Sequence, residues 1–266
     1  MAQARKRFGQ HFLVDEGVLF QITQCMHIIP SDQVLEIGPG RGALTERLDA
    51  LTSNLTAVEI DRDFIPVLAN QFPALSVINA DILKVDLAEV ITIPTRLVGN
   101  LPYNISSPLL LKIADFVRSN PGKVSDGHFM LQREMAERLS AEPCTKAWGR
   151  LSVMLQLTFD IEFLFDVAPE SFQPPPRVWS SVVRVIPKSV PALSSPNQIK
   201  CLDQVLRQAF SARRKRLANA LKGLDLDLIA ADVDPNTRPD SVTLNQYIAL
   251  ALQLEKKREI DDQRKF

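Results

Sequence analysis

The segment Asn100-Leu101-Pro102-Tyr103 carries the residue types with the most specific chemistry in the chain. An exocyclic amine on an aromatic ring is a poor nucleophile, because its lone pair is delocalised into the ring. The side-chain carbonyl of Asn100 and the backbone carbonyl of Leu101 can each accept one N–H, which holds the nitrogen toward tetrahedral geometry, and Pro102 stiffens the backbone there. Tyr103 can stack on the ring. The segment therefore predicts a pocket in which such an amine is alkylated without a titrating general base.

A glycine-rich turn follows an apolar run earlier in the chain and predicts a ligand site. Gly38, Gly40 and Ala43 match the pattern G-x-G-x-x-G/A directly after residues 34–37. Such a turn lets the backbone and a helix amino terminus approach a nucleotide-like ligand closely. Glu59 ends the next apolar run, where a carboxylate can accept hydrogen bonds from ribose hydroxyls. The pattern fits a dinucleotide or S-adenosylmethionine, and a merely structural tight turn is the third interpretation.

Acidic residues around the same turn favour a cationic ligand. Asp81 follows the third apolar run, where it can accept from the amino group of an adenine ring, and Glu36, Glu59 and Asp61 are expected nearby. A pyrophosphate ~6 Å from one such carboxylate would be repelled by ~3 kcal/mol per charge pair at an effective dielectric of about 20. A sulfonium would be attracted instead. The charges favour S-adenosylmethionine, although NAD enzymes also keep one acidic residue at the ribose.

These residues need a parallel sheet to bring them together. Short β-branched runs predict strands at 34–37, 55–60, 75–79, 96–99 and 128–131, and amphipathic stretches predict helices at 14–29, 42–51, 64–70 and 107–117. The alternation is typical of parallel strands joined by helical crossovers. Residues 151–167 and 178–186 predict further strands at one edge of the sheet. We therefore expect an α/β, doubly wound, Rossmann-like fold.

The length of the chain, 266 residues, allows one large domain or two modest ones. Prolines and serines between 187 and 196 interrupt the periodicity and predict a linker. Beyond it, Leu206, Phe210, Leu217 and Leu221 fall on one helical face, and residues 244–257 predict a last long helix. We expect a cofactor-binding domain at 1–187 and a small all-α domain at 197–266.

Charge is unevenly distributed although the 31 basic and 31 acidic residues cancel. Residues 1–186 hold 17 basic and 21 acidic side chains, whereas residues 187–266 hold 14 and 10. Basic residues cluster at Arg5-Lys6-Arg7 and at 213–216. Such clusters are typical of a surface for a polyanion, and a solvated helix face is the alternative.

Other features limit the class of protein. No run approaches the roughly 18 apolar residues of a membrane helix, and the basic amino-terminal segment lacks the apolar stretch of an export signal, so we expect a cytoplasmic protein. Cys25, Cys144 and Cys201 are widely separated, which fits reduced thiols and no metal site. His27 and His128 lie in apolar surroundings and are interpreted as structural residues with satisfied hydrogen bonds.

Seven segments occur in order along the chain: Phe8-Gly9-Gln10-His11-Phe12-Leu13, Glu36-Ile37-Gly38-Pro39-Gly40, Val58-Glu59-Ile60-Asp61, Asn79-Ala80-Asp81, Gly99-Asn100-Leu101-Pro102-Tyr103-Asn104-Ile105-Ser106, Phe172-Gln173-Pro174-Pro175-Pro176-Arg177-Val178-Trp179-Ser180 and the basic segment from Phe210 to Leu217. By these motifs and their spacing the chain resembles the ribosomal RNA adenine N6-dimethyltransferase family over nearly its whole length. The triple proline and the basic segment are closer to the branch that modifies small-subunit RNA than to the branch that confers macrolide resistance through large-subunit RNA.

The resemblance implies a role for each matching residue. The cofactor would be bound by His11, Leu13, Gly38, Gly40, Glu59, Ile60, Asp81, Ile82 and Asn100. The target base would be held by Asn100, Leu101, Pro102 and Tyr103, with Phe172 stacked on its other face. RNA would be contacted by Arg5, Lys6, Arg7, Arg177, Arg213, Arg214, Lys215 and Arg216. Departures from the family pattern are His11 for the common Asn, Arg177 for Lys, and Trp179 at a position that is often small or polar.

The resemblance also implies the reaction and its partner. Methyl groups would pass from S-adenosylmethionine, which leaves as S-adenosylhomocysteine, to N6 of two adjacent adenines in a 3′-terminal hairpin of 16S ribosomal RNA. The partner would be a 30S particle or its precursor, with no membrane partner, no metal and a monomeric enzyme. Three alternatives stay open: a large-subunit RNA methyltransferase, an assembly factor in which methylation is secondary, and an NAD-dependent oxidoreductase supported only by the glycine spacing.

Overall fold

The computed structural model describes residues 11–193 and 195–263. The strands in these ranges are β1 Phe12–Leu13, β2 Gln33–Ile37, β3 Leu55–Glu59, β4 Ser76–Asn79, β5 Thr95–Asn100, β6 Val124–Gln132, β7 Phe159–Val167, β8 Phe172–Gln173 and β9 Ser180–Pro187. The α-helices there are α1 Glu16–Met26, α2 Ala43–Asp49, α3 Ile65–Gln71, α4 Leu87–Val90, α5 Ser106–Ser119, α6 Arg133–Leu139, α7 Arg150–Gln156, α8 Pro196–Ser211, α9 Leu217–Ala220 and α10 Leu244–Gln263.

Seven strands form the main sheet in the order β4-β3-β2-β5-β6-β9-β7. The first five in this order are parallel, and β9 and β7 are antiparallel to their neighbours. This confirms the predicted doubly wound α/β fold. The direction of chain winding reverses between β2 and β5, and ligands of open α/β sheets bind outside the carboxyl ends of the strands at such a point.

The central strands bury the side chains of consecutive residues because both faces of the sheet are covered. Val34, Leu35 and Ile37 of β2 are all buried, as are Leu97 and Val98 of β5. A strand buried on both faces has a strongly specified register, since a slip would expose or misplace apolar side chains. The two strands that carry the glycine turn and the Asn100 segment are therefore held in fixed alignment.

A small two-stranded sheet, β1 with β8, is not expected from the sequence. Leu13 pairs with Phe172 and Phe12 pairs with Gln173. The pairing brings the amino-terminal segment beside the triple-proline segment, across some 160 residues of chain. Gly40 lies directly under this sheet, since a Cβ on Gly40 would stand 3.2 Å from the ring of Phe12.

Two sequence predictions about secondary structure are wrong. Residues 151–167 were expected to be strand, but the first part is α7, in which Val153 and Leu155 are buried, and β7 follows. A short apolar run does not distinguish a buried helix from a buried strand. The helix expected to run through residues 206–221 ends at Ser211, and a turn separates α8 from α9.

The chain divides into two compact units, residues 1–136 with 159–187 and residues 137–158 with 188–266. The first contains the main sheet. In the second, α10 packs against α8, Trp148 Nε1 donates to the carbonyl of Val242 at 3.0 Å, and Tyr247 OH donates to the carbonyl of Pro239 at 2.7 Å. The division after residue 187 falls where the linker was predicted, but residues 137–158, which were assigned to the first domain, cluster with the second unit. Within the described ranges, no helix has the length and apolar character to cross a membrane.

Candidate active site

A pocket of about 320 Å³ lies at the carboxyl ends of the central strands of the first unit. It brings together every cofactor residue and all but one of the base-holding residues predicted from the sequence: His11, Leu13, Gly38, Gly40, Glu59, Ile60, Asp81, Ile82, Asn100, Leu101, Pro102 and Tyr103. Phe172 is the exception. Residues far apart in the chain therefore converge on one site, as the predicted topology requires.

The glycine turn between β2 and α2 needs glycine for two different reasons. Gly38 has φ of 72° and no atom within 4 Å of the position of a Cβ, so its backbone is accessible to a ligand. Gly42 has φ of 85°, and a Cβ there would lie 2.7 Å from the ring of Phe72. The left-handed conformations favour glycine, and the turn exposes backbone at its glycines, while Pro39 and Arg41 between them also line the pocket.

Two buried glutamates stand under the turn. Glu36 is 2% exposed and accepts a hydrogen bond from Thr45 Oγ1 at 2.7 Å. Burial raises the pKa of Glu36 to about 7, and the nearby Glu59 charge adds to the shift, while the Thr45 hydrogen bond opposes it. A carboxyl group that burial makes costly to ionise gains its charge more easily beside a cation. The residues present therefore fit a positively charged ligand.

Glu59 supports the turn as well as facing the pocket, a role that the sequence did not reveal. Its two carboxylate oxygens accept from the backbone N–H of Gly40 at 3.0 Å and of Asp61 at 2.7 Å. Burial raises its pKa, whereas these hydrogen bonds lower it. Each carboxylate oxygen has a second lone pair, so Glu59 retains capacity for a ribose hydroxyl.

The loop after β4 is fixed by a lysine that sequence reasoning missed. Asp81 Oδ1 accepts from the backbone N–H of Leu83 at 3.0 Å. Lys112 on α5 donates to the carbonyls of Ile82 and Leu83, both at 2.9 Å, and to that of Val85. No local pattern predicts a contact across about 30 residues of chain. Lys112 therefore holds the loop that presents Asp81 and Ile82 to the pocket.

The Asn100 segment is oriented by backbone groups from two directions. Asn100 Nδ2 donates to the carbonyl of His11 at 3.0 Å, which assigns Oδ1 as the acceptor end of the amide. The backbone N–H of Leu101 donates to the carbonyl of Met130 at 3.1 Å. These bonds fix the two acceptors that the sequence analysis assigned to an aromatic amine.

Tyr103 is held by its hydroxyl and covered by His11. Its OH lies 3.0 Å from Ser180 Oγ, and its ring stacks with the His11 imidazole at a centroid distance of 5.9 Å and an interplanar angle of 26°. His11 Nδ1 lies 2.8 Å from the carbonyl oxygen of Pro174. Burial raises the pKa of Tyr103, so the phenol stays neutral. His11 thus links the amino-terminal strand, the Asn100 segment and the triple-proline segment.

Phe172 lies in the core of the first unit. Its side chain is 3% exposed and belongs to the core cluster that includes Leu13 and Met130, because β8 pairs with β1. It is also absent from the residues that line the pocket. In this structure Phe172 packs in the core, and its stacking on the target base stays a prediction.

His128 was expected to have satisfied hydrogen bonds, and it does not. It is 1% exposed and lines the pocket, and neither ring nitrogen forms a hydrogen bond of normal geometry with any described residue. The nearest carboxylate oxygen, Asp126 Oδ1, is 3.9 Å from Nδ1. Burial lowers the pKa of His128 to about 4 and nearby arginines contribute, while Asp126 and a loose contact with the backbone of Cys25 oppose the shift. A neutral imidazole therefore forms part of the pocket wall.

The predicted RNA-contacting residues differ in their surroundings. Arg213 is engaged by Asp240 at 3.5 Å and by the carbonyls of Thr145 and Lys146 at 3.2 and 2.7 Å. These contacts anchor the turn after α8 and engage the Arg213 guanidinium, and its contact with RNA stays a prediction. The remaining basic residues of that turn and of the triple-proline segment are exposed: Arg214, Lys215, Arg216 and Arg177. Arg5, Lys6 and Arg7 lie outside the described residues.

Possible metal ligands do not cluster among the residues that the structure describes: no group of three His, Cys, Asp or Glu side chains there could hold an ion.

The sheet topology, the glycine turn and the acidic pocket define a Rossmann-like S-adenosylmethionine-dependent methyltransferase. Within this class, the chain belongs to the ribosomal RNA adenine dimethylase family, whose family model matches residues 1–256. The predicted family, fold class and enzyme class are confirmed, and the oxidoreductase alternative is wrong.

Individual relatives agree with this assignment. The chain is 48% identical to ribosomal RNA small subunit methyltransferase A of Dechloromonas aromatica (strain RCB) over 252 residues, which are 93% of this chain and 96% of that protein. The structure of a dimethyladenosine transferase from Plasmodium falciparum has a TM-score of 0.76 at 26% identity, covering 93% of this chain and 98% of that one. The 23S rRNA methyltransferase ErmE has a TM-score of 0.68 at 25% identity, covering 92% and 99%.

Proposed function

We propose that the protein dimethylates N6 of two adjacent adenines in a 3′-terminal hairpin of 16S ribosomal RNA, with S-adenosylmethionine as the methyl donor. The observation that carries this proposal is the 48% identity, over 93% of the chain, to a small-subunit methyltransferase. Identity to a 23S rRNA methyltransferase is 25%, which does not favour the large-subunit alternative. The substrate is a small ribosomal subunit or its precursor, the enzyme acts as a monomer in the cytoplasm, and the reaction contributes to subunit biogenesis.

The glycine turn and the carboxylates around it form the cofactor half of the pocket. When bound, S-adenosylmethionine supplies a methyl group on a cationic sulfur and leaves as S-adenosylhomocysteine. Gly38 would offer its backbone to the amino-acid end, Glu59 would accept from the ribose, and Asp81 would accept from the adenine amino group. Glu36, with its raised pKa, gains charge beside the cation.

The Asn100 segment forms the half of the pocket that receives the target base. Asn100 Oδ1 and the carbonyl of Leu101 accept the two N–H groups of adenine N6, so that the nitrogen lone pair points toward the methyl carbon. Tyr103 stacks on the base, and Ser180 fixes the ring through its hydroxyl. The methylated nitrogen is a strongly acidic cation whose proton passes to water, so no residue has to titrate in this step.

The second methylation makes a different demand on the same residues. Monomethylated N6 has a single N–H, so only one of the two acceptors at Asn100 and Leu101 can be engaged. Stacking on Tyr103 then carries a larger share of the positioning. A base must leave its helix to reach the pocket, and single-stranded loops allow this at low cost.

Exposed cations position the RNA through its phosphates. Arg214, Lys215 and Arg216 in the second unit and Arg177 in the first are exposed, and they would neutralise phosphates rather than read sequence. Arg5, Lys6 and Arg7 are proposed to act in the same way.

The proposed substrate is tested by methyl transfer from labelled S-adenosylmethionine to undermethylated small subunits, with large-subunit RNA in a parallel reaction. Label in small-subunit RNA alone, in an adenine of the 3′-terminal hairpin, is the expected result. Label in large-subunit RNA alone would overturn the proposed substrate while leaving the enzyme class intact. A protein that binds S-adenosylmethionine and small subunits but labels neither would support the assembly-factor alternative.

A further inference from the structure

Trp179 is an exposed aromatic residue close to the position proposed for the target base. It is 48% exposed and directly precedes Ser180, whose Oγ lies 3.0 Å from the hydroxyl of Tyr103. Ser180 pairs with Gln132 at the carboxyl end of β6, next to β5, where Asn100 pairs with Met130. Trp179 therefore lies at the edge of the sheet where the pocket is formed.

The backbone of Trp179 is fixed at its carbonyl and at the two residues that follow it. Its carbonyl accepts from the backbone N–H of Arg133 at 3.0 Å. Ser180 bonds to Tyr103, and Ser181 Oγ donates to Asp166 at 2.6 Å, which also pairs with the Arg133 guanidinium at 3.3 Å. A rigid aromatic side chain loses little conformational entropy when a partner stacks on it.

The surroundings of Trp179 favour a nucleic acid as that partner. Arg177, Val178 and Trp179, here named the rim segment, are three consecutive exposed residues between the buried Pro176 and Ser180. A cation next to an aromatic ring is the combination with which proteins bind a single strand, since the ring stacks on a base and the cation contacts a phosphate. Asp166, which accepts from Ser181 just beyond the rim segment, is already paired with Arg133.

We propose that Trp179 stacks on the nucleobase next to the adenine held at Tyr103, while Arg177 contacts a phosphate of the same strand. This binding site for a second base rests on the proposed function, because a base held at Tyr103 has a neighbour within one nucleotide of it. Because the strand has a direction, Trp179 receives the neighbour on one side of the held adenine, and for one of the two target adenines that neighbour is the other target.

The proposal is tested first by kinetics on undermethylated small subunits. Trp179→Ala is expected to raise the KM for subunits about tenfold, which is within the range for loss of one stacked base, and to leave S-adenosylmethionine affinity unchanged. Trp179→Phe keeps an aromatic face and is expected to stay within about threefold of the parent. Phe163→Ala serves as the matched control, since Phe163 is 47% exposed in the middle of β7. A Trp179→Ala protein with the parent KM would overturn the proposal.

Fluorescence gives a second readout that a purely structural role would not change. The chain has two tryptophans, and Trp148 is 1% exposed, so quenching by a bound base reports on Trp179. A synthetic RNA hairpin with two adjacent loop adenines is expected to quench the parent protein and not Trp179→Phe. Equal quenching of both proteins, or of neither, would overturn the proposal. If the parent fails to methylate small subunits, the proposed substrate is wrong, and quenching still decides whether Trp179 stacks on RNA.

Discussion

Gly99 is the residue at which the smallest substitution should separate the two halves of the pocket. A Cβ on Gly99 would lie 2.6 Å from the carbonyl oxygen of Ile37. This contact joins β5, which carries the Asn100 acceptors, to β2, which carries the glycine turn. Because a carbon and a carbonyl oxygen pack no closer than about 3.2 Å, Gly99→Ala must move the strand ends apart by about 0.6 Å.

The consequence for catalysis can be estimated from that displacement. A misplacement of about 1 Å costs on the order of a hundredfold in rate, so 0.6 Å is expected to lower the single-turnover rate of methyl transfer at least tenfold. Overpacking should also cost about 1–3 kcal/mol of stability. The assay is single-turnover transfer at saturating cofactor, together with urea unfolding. Gly223→Ala is the control, since its Cβ would have its nearest contact at 3.5 Å. A Gly99→Ala protein with the parent rate would refute the claim that the contact between β2 and β5 sets the geometry of the pocket.

Three further changes test other parts of the site. Glu59→Gln should weaken S-adenosylmethionine binding about tenfold or more in calorimetry, because the amide NH2 group would face a backbone N–H of Gly40 or Asp61. Unchanged affinity would contradict the assignment of Glu59 to the cofactor site. The pKa of His128 falls from its ordinary value of 6.5 to about 4 on folding, so the folded protein favours the neutral imidazole. The free energy of unfolding is therefore at its full value above pH 6.5 and falls by about 3 kcal/mol as the pH falls to 4. As the pH is lowered from 6.5 to 4, the urea midpoint should therefore drop more steeply in the parent than in His128→Gln. Equal slopes would show that His128 does not contribute to the pH dependence of stability. Replacing Arg214, Lys215 and Arg216 by Gln together should lower the slope of log affinity for RNA against log salt by about 2, and a parent-like slope would assign them to a solvated surface.

The parts of the site that were predictable are those encoded in consecutive residues. The glycine turn and the Asn100 segment each follow a buried strand, and parallel strands bring their carboxyl ends to one edge of the sheet. Both the fold class and the composition of the pocket follow from that rule. Glu59 and Asp81 line the same pocket for the same reason, since each follows the end of its own apolar run.

The parts that were missed depend on contacts between distant segments. Pairing of β1 with β8 buries Phe172, and neither strand is longer than two residues, so no periodicity marks it. Lys112 acts through carbonyls about 30 residues away. The turn before α9 depends on the contacts of Arg213 with Asp240 and with the backbone carbonyls of Thr145 and Lys146. A sequence pattern reports which face of an element is apolar, and it does not report which distant partner covers that face.

The central claim is that the pocket between the glycine turn and the Asn100 segment dimethylates adenine. The most direct measurement is the amount of N6,N6-dimethyladenosine in the RNA of undermethylated small subunits after incubation with the parent, Tyr103→Phe or Tyr103→Ala. The parent should form it, Tyr103→Phe should lose only the hydrogen bond to Ser180 and slow by about fivefold, and Tyr103→Ala should slow at least tenfold with cofactor affinity retained. Dimethyladenosine formed by Tyr103→Ala at the parent rate would contradict the account.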